Sequence, residues 1–179
     1  MNFSVVSLAG LTLWALLLAA LTGALSELAP TPSFVPDLLL VVLVSLGSRA
    51  DRDGVRIAAI VFAAARAGLG SDPFVAVGAG YLAWIEFQTR LRRVFDVESV
   101  IARGVFAAIA AWLVGAWLVL VRDLRAPLPI SIDPGPFALS WPGAFSAGCL
   151  AALIGGVVRF LPGLSSLEVR SWEAGGRFR

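Results

Sequence analysis

The sequence contains no histidine and no lysine, and a single cysteine, Cys149. Without histidine there is no imidazole for a Ser-His pair and no histidine metal site. One cysteine excludes an intrachain disulfide, and its place in an apolar run marks it as a small packing residue. Charge is scarce as well. Ionic residues make up 15% of the 179, and the formal net charge of +2 is too small a surplus for nucleic-acid binding. Every basic residue is arginine, a usage that nothing structural explains. Met1-Asn2-Phe3-Ser4 carries no Lys or Arg, whereas a secretory signal needs a positive start, so the apolar stretch that follows is expected to be a retained helix.

What the chain does have is apolar residues, 59% of the total, with a mean hydropathy of +0.88. That composition is expected of an all-α integral membrane protein, and the short linkers leave no polar block able to fold as a separate domain. Six spans are expected at 5–25, 36–46, 54–69, 73–87, 100–121 and 141–161, forming one bundle over 1–161, with a polar tail at 162–179. The second is the organising stretch. Pro36 suits a first helical turn, Asp37 complements the helix dipole, and an unbroken Leu/Val run continues from Leu38 to Val44. From Pro36 to Ser48 it reaches only about 20 Å, against a hydrocarbon core of roughly 30 Å. Pro30 and Pro32 prevent its extension backwards, so it must lean on longer neighbours.

Small residues recur every four positions along several spans. Ala15, Ala19 and Gly23 do so on the first, Ala59, Ala63 and Ala67 on the third, Ala107, Ala111 and Gly115 on the fifth, and Ala144, Gly148, Ala152 and Gly156 on the sixth. Such stripes let helices approach closely in lipid, within the bundle or with a partner helix. Arg66 lies near the end of the third span and either snorkels to the interface or enters a buried polar contact. Asp51 or Asp53 is expected to cap the third span, Asp72 with Pro73 to open the fourth, and Asp96 or Ser99 to cap the fifth. Asp133-Pro134-Gly135-Pro136 reads as a turn and Ser140-Trp141-Pro142 as the start of the sixth span. Glu86 and Arg90, four apart, are expected to pair along their helix.

Arg90, Arg92 and Arg93 form the densest basic cluster, suited to setting topology or meeting anionic lipid headgroups. With six spans, Arg49, Arg52, Arg56, the Arg90 cluster, Arg103, Arg159, Arg170, Arg177 and Arg179 fall on one side. Arg66, Arg122 and Arg125 fall on the other. The positive-inside rule then places both termini in the cytoplasm and the loops around Pro30 to Pro36 and Arg122 to Ser140 outside. No nucleophile with its base, no carboxylate pair and no metal-ligand set stands out, so a non-enzymatic protein without cofactor or metal is expected.

The stretch Phe34 to Val44, with its Pro36-Asp37-Leu38-Leu39-Leu40 core, resembles the signature of the rod-shape-determining protein MreD family. The resemblance continues through Gly54, the Gly70-Ser71-Asp72-Pro73 turn, and Tyr81-Leu82 leading to Arg90-Leu91-Arg92-Arg93, and so covers nearly the whole chain. It implies a scaffold subunit of the cell-elongation complex in the bacterial inner membrane. The implied partners are an MreC-like membrane protein and, through it, MreB, RodA and a class B penicillin-binding protein that build peptidoglycan. It also implies a six-helix fold similar to the substrate-binding subunits of energy-coupling-factor transporters, which leaves a small-molecule-binding transporter subunit as the alternative. Family members carry an aspartate late in the third span where Arg66 stands here, so Asp72 either substitutes for it or the contact differs. The candidate partner contacts are Pro36, Asp37, Arg66, Asp72 and the small faces Ala15, Ala19, Gly23 and Ala144, Gly148, Ala152, Gly156.

Overall fold

The computed structural model describes residues 5–31, 34–92, 99–125 and 141–158. Among the described residues six α-helices form one bundle: α1 Val5–Leu28, α2 Leu38–Gly47, α3 Arg52–Leu69, α4 Phe74–Leu91, α5 Val100–Arg125 and α6 Trp141–Ile154. The expected turn at Asp133 to Pro136, the caps Asp96 and Ser140, Arg93 and the 162–179 tail lie outside the described residues. Among the described residues two segments, Ser7–Leu28 and Val100–Arg125, are long and apolar enough to cross a membrane.

The short helix sits at the centre. All ten residues of α2 are buried, and it packs against each of the other five described helices. Around it the outer helices follow the order α1, α3, α4, α5, α6, each packed on the next. On α1 the buried line is Leu11, Ala15 and Ala19. Ala58, Ala59, Phe62 and Ala63 of α3 and Val77, Tyr81 and Ile85 of α4 complete the core beside it.

Several ends differ from the sequence reading, for local reasons. The α2 helix begins at Leu38 rather than Pro36, because Asp37 is itself the cap and accepts a hydrogen bond from the Leu40 amide at 3.2 Å. Asp51 precedes α3 without a side-chain capping bond, and Pro73 rather than Asp72 is the residue before α4. Ser99 does cap α5, accepting from the Ala102 amide at 3.1 Å. The sixth helix stops at Ile154, short of the expected residue 161, where Gly155 and Gly156 withdraw helix propensity.

The α5–α6 contact shows what the small residues are for. A Cβ on Gly148 would lie 2.9 Å from the Gly104 carbonyl oxygen and 2.9 Å from the Ala108 Cβ, and one on Gly104 would lie 3.2 Å from the Ala152 Cβ. Backbones can approach this closely only where side chains are absent.

Candidate functional site

Helix direction alternates through the core, so the start of α2, the end of α3, the start of α4 and the end of α5 meet at one end of the bundle. Each contributes a charged side chain. Arg66 at the end of α3 lies between two carboxylates: its Nη1 donates to Asp37 Oδ2, and its Nη2 donates to Asp72 Oδ2 at 3.4 Å. Tyr81, fully buried on α4, donates from its hydroxyl to the same Asp37 oxygen at 2.8 Å and accepts from Arg66 Nη1 at 3.2 Å. Arg122 of α5 closes the chain, donating to Asp72 Oδ1 from Nε at 3.0 Å and from Nη2 at 2.7 Å. Asp37 thus serves two tasks, one oxygen capping α2 and the other joined to α3 and α4.

The network balances two carboxylates with two guanidinium groups and directs their bonds at one another. It borders a cavity of about 280 Å³ whose other walls include Thr22, Gly23 and Ser26 of α1. Thr22 and Ser26 donate their hydroxyls back to Leu18 and Gly23 carbonyls, so these groups are committed to their own helix.

A second polar set closes the opposite end. Gln88 of α4 donates to the Val44 carbonyl at 2.9 Å and accepts from the Trp84 indole at 3.2 Å. Arg92 donates to the Gly47 and Ala50 carbonyls at 3.0 Å each, satisfying acceptors at and just beyond the end of α2. Gly47 leaves room for this side chain, since a Cβ would lie 2.8 Å from Gln88 Oε1 and the amide would have to shift. Glu86 binds Arg52 and Arg56 of α3, at 2.5 Å each, rather than Arg90 on its own helix. The cross-helix cations win because two of them converge on one carboxylate.

The sequence-derived candidates therefore separate. Asp37, Arg66 and Asp72 come together, and Arg66 enters a part-buried polar contact with both acids. Pro36 sits one residue before the cap, beside Leu25 and Leu28 at a shallow apolar cleft. Ala15 and Ala19 are buried, while Gly23 is exposed at the cavity rim, where an added Cβ would touch nothing. Ala144 is buried, Gly148 and Ala152 face α5, and Gly156 lies beside Arg103. The basic cluster is divided, Arg92 being used on α2 while Arg90 is exposed and Arg93 lies outside the described residues.

Tyr81 and Arg122 are members of the charged end that the sequence reading did not single out. The signal was present for Arg122, which counting arginines had placed on the same side as Arg66 and the Pro30 to Pro36 loop. Adding Asp37 and Asp72 at that same depth would have completed the set. Comparison with protein-family models, with curated proteins and with solved structures finds no match.

Proposed function

We propose that the protein is a membrane-embedded scaffold of the rod-shape-determining MreD type, without catalytic activity, that holds partner helices and loops of the cell-elongation machinery. The observation that carries its membrane setting is the outward apolar surface: Leu13 and Leu17 on α1, Ile60 on α3, Val75 on α4, Ile101 on α5 and Phe145 and Leu153 on α6 are all exposed. Large exposed apolar side chains on every outer helix suit lipid rather than water. With α2 as its core, the bundle becomes a six-span protein of the bacterial inner membrane. The end rich in Arg52, Arg56, Arg90 and Arg92 then faces the cytoplasm, and the Asp37–Arg66–Asp72–Arg122 end faces outward.

A scaffolding role is supported by the way the charged end is spent on itself. Catalysis needs a group free to move a proton or attack, whereas these four side chains are tied into ion pairs that fix the relative depth of α2, α3, α4 and α5. The family resemblance supplies the partners, an MreC-like protein with MreB, RodA and a class B penicillin-binding protein behind it.

One observation favours a second reading. The 280 Å³ cavity at the charged end has the mixed polar lining of a small-molecule site, as in the substrate-binding subunits of energy-coupling-factor transporters, whose fold this bundle would share. Detergent affinity purification from the native membrane, with mass spectrometry of co-purifying proteins, separates the two. Recovery of MreC-like and cell-wall synthase proteins is the expected result. Recovery of paired ATPases with a coupling membrane subunit would overturn the scaffold reading in favour of the transporter.

A further inference from the structure

An open groove of about 390 Å³ runs between α4 and α5, with Ala79, Ala83 and Phe87 on one wall and Leu113 and Trp117 on the other. Its lining is apolar. The Trp117 indole nitrogen donates to the Ala76 carbonyl at 2.8 Å, so the ring's polar edge is satisfied within the protein. At the floor the helices close on Gly80, where a Cβ would lie 3.1 Å from Trp117 Cδ1.

Arg90 stands eleven residues after Ala79, three turns along α4, and so on the same face of the helix. It is exposed and makes no ion pair among the described residues. Its natural helical partner, Glu86, is held by Arg52 and Arg56, and neighbouring Arg92 is occupied by the Gly47 and Ala50 carbonyls. A cation with no ion pair among the described residues therefore lies beyond one end of an apolar groove.

The dimensions decide between occupants. From Ala79 to Phe87 the groove runs about 12 Å along α4, less than half of a hydrocarbon core of about 30 Å, which is too short to seat a spanning helix. Continuing to Arg90 gives about 16 Å, close to the depth of one leaflet at about 15 Å. That is the length of an acyl chain hanging from a headgroup at the interface.

We propose that the α4–α5 groove binds one acyl chain of an anionic phospholipid whose phosphate pairs with Arg90, a site that rests on the membrane reading above. The Arg52–Arg56–Glu86 cluster then has a further consequence. By occupying Glu86 it leaves Arg90 for the lipid.

The test is native mass spectrometry of the delipidated protein given equal amounts of phosphatidylglycerol and phosphatidylcholine. The wild type is expected to carry about five-fold more phosphatidylglycerol, the preference one interfacial arginine supplies. Arg90→Gln should bring the ratio close to one. Ala83→Trp, at an exposed position inside the groove, should reduce bound copies of both lipids with the melting temperature unchanged. A wild-type ratio near one, or a ratio unaltered by Arg90→Gln, would overturn the site. So would an Ala83→Trp variant that binds lipid normally but loses a co-purifying protein, which would make the groove a protein contact. The parent reading fails by a different sign, namely a chain that remains in solution without detergent.

Discussion

Replacing Arg66 by leucine removes the one cation that Asp37 and Asp72 share. The Asp72 side chain is only 7% exposed and that of Asp37 16%, so neither carboxylate can recover full hydration. Removing one partner of a buried ion pair costs about 3–5 kcal/mol, because the remaining charge is left uncompensated. Here both acids keep something. Asp72 retains two hydrogen bonds from Arg122, although that arginine is 59% exposed, and Asp37 retains the Tyr81 hydroxyl and the Leu40 amide. The loss is therefore expected at the low edge, about 3 kcal/mol. At roughly 2–4 °C per kcal/mol for a chain of this size, the melting temperature of the detergent-solubilised protein should fall by about 6–12 °C. Asp37→Asn should cost less, about 1–2 kcal/mol, since an amide oxygen still caps Leu40 and Arg66 keeps Asp72. The double variant should lose less than the sum of the singles, with a coupling of at least about 0.5 kcal/mol. Scanning fluorimetry of the four proteins measures all three quantities. Arg66→Leu within about 1 kcal/mol of wild type, or strictly additive singles, would refute the view that this network holds α2 to α3 and α4.

Gly148→Leu should be damaging by a different route. Its side chain would meet the Gly104 carbonyl and Ala108 of α5, so the helices must separate at a cost of about 1–3 kcal/mol or more, visible as a lowered melting temperature. Glu86→Gln provides the contrast at the opposite end. Arg52 and Arg56 are 48% and 39% exposed, so the melting temperature should fall far less than for Arg66→Leu, and the difference from wild type should disappear in 1 M salt.

The Leu/Val run from Leu38 to Val44 could be read directly as the body of a short apolar helix that must lean on longer neighbours, because from Pro36 to Ser48 it reaches only about 20 Å against a hydrocarbon core of roughly 30 Å. The six helices were legible too, since long apolar stretches interrupted by Pro, Gly and charge leave little choice of element. Pairing was not legible. Glu86 has Arg90 one turn away, and only the packing of α3 on α4 shows that Arg52 and Arg56 reach it from the other side. Arg66 likewise offered two outcomes, and the choice depended on where Asp37, 29 residues earlier, would come to lie.

The small-residue stripes make the same point. Their spacing of four announces a face made for close approach, but the sequence does not say whose backbone approaches. In the sixth helix the answer is α5, through Gly104 and Ala108, whereas Gly23 on α1 meets nothing.

By itself the sequence determined the helices, their apolar surfaces, the shortness of α2 and the separation of the described arginines between two ends, because each follows from local composition and period. Only the tertiary structure decided which charges neutralise one another and that Tyr81 and Arg122 join Asp37, Arg66 and Asp72. Ion pairing depends on distances of a few ångströms between residues far apart in the chain, and those distances are set by helix packing rather than by any pattern along it.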